Sequence, residues 1–319
     1  MTTPSLDLRL RQIRLEAEGI CSFEFFAAAP GQTLPSFQAG SHIDLRLPGN
    51  QIRSYSLANP PQEADRYLLA VQREGDGRGG SVWMHDSLRV GQVLRASTPV
   101  QDFPLEESAD HSVLIAGGIG ITPLLSMVAR LDALGRSWRL HYAGRTRACT
   151  AFVDRLTSLD RGRGWVTFCL GDERARRLDI PAIVAAAGPT THLYCCGPTR
   201  MIDSFIEASS GRPSATVHYE RFAAAEEAAT EGGYAVYLAR SGRRLPVPPG
   251  KTLLDTLLDA NVDVPYACSN GICGTCLTRV ISGVPDHRDE FLSTQEKATG
   301  RSILVCCSGS RSATLELDL

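Results

Sequence analysis

Five cysteines near the C-terminal end constrain this chain more than any other feature. Cys268-Ser-Asn-Gly-Ile-Cys273-Gly-Thr-Cys276 reads C-x4-C-x2-C, and Cys306 and Cys307 stand 30 and 31 positions after Cys276. Three thiolates so close in sequence can converge on one centre only if the loop curls around it. Gly271 and Gly274 supply that freedom, because glycine tolerates positive φ and lets backbone amides approach sulfur. Thiolates are soft, strong donors that stay deprotonated when metal-bound. This spacing with a distant fourth cysteine is that of a [2Fe–2S] site. Structural zinc sites usually pair two C-x2-C-like knuckles, and only one such pair is present. Cys306 and Cys307 are adjacent and, in an extended segment, point opposite ways, so one of them reaches the cluster and the other packs as a small apolar residue.

At 319 residues the chain exceeds one ordinary core, so two or three domains are expected. A net charge of −2 gives no long-range reason to expect nucleic acid or an anionic membrane as partner. The start, MTTPSLDLRLRQIRLEAEG, has no secretory apolar run, and no stretch is long and apolar enough to span a bilayer. Ten cysteines without an export signal argue for metal or redox chemistry rather than a disulfide framework, and for a cytoplasmic location.

Texture changes twice along the chain. Residues 1–105 alternate apolar and polar residues with Gly and Pro punctuation, as in Ser41–Leu47 and Tyr67–Gln72, which read as half-buried strands of an antiparallel barrel. From about 106 to 224, short apolar runs alternate with helical patterns: Val113–Ala116, Arg139–Ala143, Val166–Leu170, Leu193–Cys196 and Thr216–Tyr219. That alternation implies a parallel sheet covered on both faces. Its first helix is expected to be capped by Thr122, with Pro123 at the first helical position. Residues 223–233 (AAAEEAATEGG) read as a linker, or as a helix continuing the preceding domain. Beyond them a hairpin (Tyr234–Leu238, a Ser241-Gly242 turn, Leu245–Val247), a short helix near Thr252–Ala260 and the cysteine loop make a third domain, 225–319.

Two further motifs suit nucleotide cofactors. Arg53-Ser54-Tyr55-Ser56-Leu57 ends a strand: arginine suits a phosphate, tyrosine offers a face to a planar ring, and serine can hydrogen-bond a ring heteroatom. The string gains weight from Gly75-Asp-Gly77-Arg78-Gly79-Gly80-Ser81, a glycine-rich turn opening a short helix, where backbone amides make an anion site. Gly117-Gly118-Ile119-Gly120-Ile121-Thr122-Pro123 follows a strand and opens a helix, the context a dinucleotide phosphate requires. Cys195-Cys196-Gly197-Pro198 closes the fourth strand and returns to the same carboxyl edge, where Cys196 is either a site contact or core.

In this order, Arg53–Leu57, Gly117–Pro123, Cys196–Pro198 and Cys268–Cys306 resemble, end to end, the phthalate dioxygenase reductase family, to which vanillate demethylase reductases belong. The resemblance implies a multidomain chain: an FMN-binding antiparallel β-barrel, an NAD-binding α/β domain with a parallel sheet, and an α+β, β-grasp-like plant-type ferredoxin. It carries the flavin motif onto Arg53, Ser54, Tyr55 and Ser56, with the flavin phosphate at Gly79, Gly80 and Ser81. It puts the nicotinamide site at Gly118, Gly120, Thr122, Cys196 and Gly197, and Phe222 beside the flavin ring. The family's closing pattern, a cluster cysteine, an apolar residue and then Ser-Arg-Ala, falls on Cys306-Cys307-Ser308-Gly309-Ser310. It thereby implies the ligand set Cys268, Cys273, Cys276 and Cys306, with a departure at Gly309-Ser310.

A nicotinamide gives up two electrons together and a [2Fe–2S] cluster takes one at a time, so a flavin between them completes a converter. The expected activity is NADH-dependent reduction of a separate Rieske-type non-haem iron oxygenase or demethylase. An FAD-containing reductase serving a di-iron hydroxylase shares most of these motifs. A redox-sensing or carrier protein with decayed nucleotide sites is the reading from outside enzymes. Arg145 and Arg147 follow the second strand of the NAD domain and could favour NADPH, although arginine is common throughout the chain.

Overall fold

The computed structural model describes residues 5–75, 79–172, 178–222, 227–266 and 268–319. Residues 76–78 of the glycine-rich turn and 223–226 of the linker segment lie outside the described residues. The chain forms two compact units, Met1–Arg221 and Phe222–Leu319.

The first unit begins with β1 (Ser5–Ala17), β2 (Ile20–Ala27), β3 (Ser41–Leu47), β4 (Gln51–Ser56), β5 (Tyr67–Gln72), α1 (Gly80–Asp86), β6 (Val93–Ser97) and β7 (Val100–Gln101). The strands pair antiparallel in the order β4-β3-β6-β1-β2-β5, with β7 on β3. The sheet curls around Leu8, Leu10, Phe23, Phe25, Ile43, Leu45, Tyr67 and Leu69, all buried. The curl is barrel-like, but no ladder joins β4 to β5 among the described residues. On β3 the expected alternation holds, with Ile43, Leu45 and Leu47 inward. β5 differs from its half-buried reading: Tyr67 through Val71 are all buried. The reason is a second layer, because Leu68 and Ala70 pack outward with Leu124, Leu125 and Val128 of the next helix.

That layer is β8 (His111–Gly117), α2 (Ile121–Ala133), β9 (Ser137–Gly144), α3 (Val153–Asp160), β10 (Val166–Leu170), α4 (Ile180–Ala186), β11 (His192–Cys196), α5 (Thr199–Ala208) and β12 (Val217–Glu220). Its sheet is wholly parallel, in the order β10-β9-β8-β11-β12. Leu114, Ala116, Tyr142 and Tyr194 pack with α2 and α3 on one face. Val113, Ile115, Leu193 and Cys195 pack with α4 and α5 on the other. The chain runs outward from β8 to β10 and then returns to β11. The switch point therefore lies between β8 and β11, where open α/β sheets bind ligands. α2 starts earlier than its sequence suggests: Gly120 is its N-cap, Thr122 and Pro123 lie inside the first turn, and the Thr122 hydroxyl donates to the Ile119 carbonyl at 3.0 Å. Proline is tolerated there because first-turn N–H groups have no intrahelical partner.

The second unit holds β13 (Tyr234–Leu238), β14 (Arg243–Val247), α6 (Leu253–Asp259), β15 (Leu277–Ser282), β16 (Pro285–Asp286), α7 (Thr294–Thr299), β17 (Ser302–Leu304), β18 (Gly309–Ser310) and β19 (Thr314–Leu317). The sheet order is β14-β13-β19-β15-β17, with β16 and β18 as a separate pair. β13 and β19 run parallel and the other pairs antiparallel. α6 is held by a reciprocal cap: Thr252 Oγ1 accepts from Asp255 N at 3.1 Å and Asp255 Oδ2 accepts from Thr252 N at 3.0 Å. Its Leu253, Leu254 and Leu257 enter a core with Val236, Leu238, Ile303 and Leu315. Residues 227–233 form no helix, and the stretch is tied to this unit, since Ala229 N donates to the Cys307 carbonyl at 2.7 Å.

Candidate redox-cofactor sites

The cysteine loop curls as its glycines require. Gly271 and Gly274 sit at φ 74° and 73°, and a Cβ on Gly274 would come within 2.3 Å of the Phe291 ring. The sulfurs meet in pairs. Cys273 is pulled down to about 6, first by a hydrogen bond with Cys268, whose own thiol is pushed up by the same contact. Cys276 is pushed up, first by its contact with Cys306. Two pairs of thiols suit two irons that each take two thiolates. The amides of Asn270 and Ile272 point at Cys268, the Asn270 amide at 3.3 Å, and such donors stabilise sulfur that is deprotonated when metal-bound. Among the described residues no three His, Cys, Asp or Glu side chains converge on a single ion position.

Cys306 and Cys307 are not in an extended segment. Residues 305–307 form a turn in which Cys307 N and Ser308 N both donate to the Leu304 carbonyl, at 3.3 and 3.0 Å. The Cys307 sulfur lies 3.8 Å from that carbonyl oxygen and 3.7 Å from the Ser308 hydroxyl. It also touches the Cys306 sulfur, whereas the sulfur that meets Cys276 is that of Cys306. At Gly309 there is no room for a side chain without a shift, because a Cβ would stand 2.9 Å from the Ala229 methyl.

In the first unit, Arg53 and Tyr55 share one face of β4 and Ser54 and Ser56 the other. Burial pushes Tyr55 up to about 12, partly offset by the Arg53 charge. Arg53 donates to the Ile52 carbonyl at 2.8 Å and to Gln51 Oε1 at 3.1 Å. α1 starts beside it: Gly79, at φ 79°, gives α1 no side-chain cap, and a Cβ on Gly80 would lie 2.9 Å from Arg53 Nε. A guanidinium against first-turn amides that no side chain caps among the described residues can cradle a phosphate, and a side chain at 80 would fill that space. Not every serine of the motif is free for a ligand. The Ser54 hydroxyl donates to Asp44 at 2.5 Å, and Ser81 Oγ accepts from Glu74 N at 3.0 Å.

At the switch point the two glycine turns touch through their backbones. A Cβ on Gly120 would lie 2.4 Å from the Cys196 carbonyl oxygen, and one on Gly197 3.1 Å from Gly117 Cα. Tyr142 donates its hydroxyl to the Gly118 carbonyl at 3.1 Å, fixing the turn. Cys196 is fully buried, and burial pushes its thiol far up. Glu220, opposite it in the ladder, was not singled out by the sequence: its Oε2 is 3.9 Å from the Cys196 sulfur. Burial, then the Asp102 charge, pushes its carboxyl up to about 8, although part of the residue's surface remains open. A four-residue strand carries no periodic signal that could have marked it. Phe222 begins the second unit with an exposed ring, and its carbonyl accepts from Asn270 Nδ2 at 2.9 Å.

The 2Fe-2S iron-sulfur cluster binding domain family matches residues 236–310, which contain all four expected ligands. Phenoxybenzoate dioxygenase subunit beta of Ectopseudomonas oleovorans is 50% identical over 319 residues, covering 100% of this chain and 98% of that protein. Tetrachlorobenzoquinone reductase of Sphingobium chlorophenolicum is 43% identical and covers 100% of both. Among solved structures, phthalate dioxygenase reductase, described as a modular structure for electron transfer from pyridine nucleotides to [2Fe-2S], superposes with a TM-score of 0.85 at 41% identity over 100% of both chains. With the fold, the paired cysteines and the end-to-end identity in agreement, the chain belongs to the phthalate dioxygenase reductase family of flavin and iron–sulfur oxidoreductases.

Proposed function

We propose that this chain is the reductase component of an oxygenase system, with FMN and a [2Fe–2S] cluster as resident cofactors and NADH as electron donor. Its partner is a separate Rieske-type non-haem iron oxygenase or demethylase acting on an aromatic substrate. The observation that carries the reading is the presence of a candidate phosphate cradle, a switch-point glycine turn and paired cysteines in one chain that superposes end to end on the matched reductase. The bound groups would supply two-electron chemistry at nicotinamide and flavin and one-electron chemistry at iron. The chain's own work is binding and placement. Arg53 and the first turn of α1 hold the flavin phosphate, and Tyr55 offers its ring to the flavin. Gly118 and Gly120 let the dinucleotide approach the start of α2, while Cys196, Gly197 and Glu220 form the floor of the nicotinamide site. Cys268, Cys273, Cys276 and Cys306 hold the cluster. We divide the chain into a flavin domain (1–105), a nucleotide domain (106–224) and a ferredoxin domain (225–319). No disulfide joins any cysteines among the described residues, which suits the reducing cytoplasm.

Mixing the purified protein with NADH in a stopped-flow instrument should bleach flavin absorbance first and cluster absorbance second. Loss of both in one phase, or no flavin phase, would overturn the order of transfer. Mass spectrometry of the released flavin should find FMN, and FAD would favour the di-iron hydroxylase reading. The tetrachlorobenzoquinone reductase relative supports a second reading, direct reduction of a quinone. NADH-dependent quinone turnover without any added oxygenase would favour it.

A further inference from the structure

In the second unit, the turn that carries Cys306 is tied to a buried carboxylate that no cofactor role uses. The Asp289 side chain has 0% exposure. Its Oδ2 accepts from Leu292 N at 2.8 Å, and its Oδ1 lies 3.4 Å from the Ser308 hydroxyl, which donates to it. Ser308 is itself fully buried, two residues past Cys306, and accepts from Arg288 N at 3.1 Å. His287 Nδ1 stands 3.4 Å from Asp289 Oδ1, yet both ring nitrogens are buried with no hydrogen-bond partner among the described residues. The ammonium of Lys297 donates to the Asp289 carbonyl and lies 3.9 Å from Oδ2. Arg288 and Arg311 turn instead to Asp286, at 2.8 Å each.

The segment around Asp289 is fastened to the cysteine loop as well. Glu290 N donates to the Gly271 carbonyl at 2.9 Å. Phe291, one residue on, lies over Gly274, where an added Cβ would stand 2.3 Å from its ring. Asp289 thus joins the turn bearing Cys306 to a strap lying on the loop that bears Cys268, Cys273 and Cys276. A buried carboxylate is costly unless it is paired. Its charge also acts over a longer range inside a protein than in water. Adding an electron to a nearby centre is opposed by a fixed negative charge and favoured by a fixed positive one.

We propose that Asp289 is a positioning residue for the iron–sulfur cluster and that its charge, opposed by that of Lys297, tunes the cluster's reduction potential. The proposal rests on the reading of Cys268, Cys273, Cys276 and Cys306 as the ligands.

The test uses the full-length holoprotein and the variants Asp289→Asn and Lys297→Met. Iron, acid-labile sulfide and visible absorption come first, and a wild-type protein without a cluster would sink the ligand reading rather than this one. Potentiometric titration then decides. Asp289→Asn keeps the shape and removes the charge, so the cluster should become easier to reduce, on the order of threefold to tenfold in the reduction equilibrium constant. Lys297→Met should shift it the opposite way. Equal potentials in all three proteins, or shifts of the same sign, overturn the proposal, because mere loosening of the strap would move both variants together. If Asp289→Asn does not fold, Lys297→Met decides alone: harder reduction supports the proposal, and unchanged or easier reduction overturns it.

Discussion

Cys306 and Cys307 differ by one position and by everything that matters chemically. One sulfur meets Cys276, while the other lies beside the Leu304 carbonyl and the Ser308 hydroxyl. Cys306→Ser should therefore abolish the cluster's visible absorption and stoichiometric iron, whereas Cys307→Ser should retain both, as judged by iron analysis and spectra of the purified variants. Glu220 gives a second test at this scale. Its carboxyl is raised from the usual 4.5 to about 8 in the fold, so the folded state binds the proton that the unfolded chain releases. Between those two values stability falls as pH rises, and above the upper one the penalty is constant. Glu220→Gln should flatten that fall. Its advantage over wild type should grow between pH 5 and 8 to on the order of 2 kcal/mol, a figure discounted from the full shift because the residue is partly open. Urea denaturation across that pH range measures it, and parallel curves would show that Glu220 ionises freely.

Among the elements, the switch-point turns matter most for the proposed nucleotide site. Both glycine turns end parallel strands, and at Gly120 they meet backbone to backbone. Gly120→Ala would drive a Cβ to 2.4 Å from the Cys196 carbonyl oxygen, and backbone on both sides leaves nothing flexible to yield. We expect a loss of about 2 kcal/mol or more in stability, with NADH binding weakened beyond what the flavin site suffers. Chemical denaturation and NADH titration of the same variant check both parts. Gly135, by contrast, sits at φ 66° past α2 with open space around it, so Gly135→Ala should cost only the backbone strain. β5 shows how packing overrides pattern. Its outward Leu68 and Ala70 became core only because α2 lies over them.

At the level of the molecule, the second unit has a hydrophobic core of its own, separate from the three clusters of the first, and the four expected cluster ligands lie wholly in it. Metal binding contributes directly to the folding free energy of the unit that holds it. Calorimetry of the holoprotein should therefore resolve two transitions, and anaerobic removal of iron by a chelator should lower one and leave the other in place. A single transition that moves as a whole would mean that the units unfold together. No helix among the described residues is long and apolar enough to cross a membrane.

The sequence by itself determined whatever depends on spacing along the chain. The thiolate series from Cys268 to Cys276 must curl around its centre. Gly117–Thr122 form the turn between a strand and a helix that the pattern implies, and the alternation of β3 marks an inward face. Only the tertiary structure decided what depends on approach between distant segments. It turned Cys306 toward Cys276, set Glu220 against Cys196, brought Leu68 under α2, and buried Asp289 beside Ser308. The physical reason is that a local pattern prescribes backbone geometry and which face a side chain takes. Desolvation and pairing are set by neighbours that arrive from tens or hundreds of residues away.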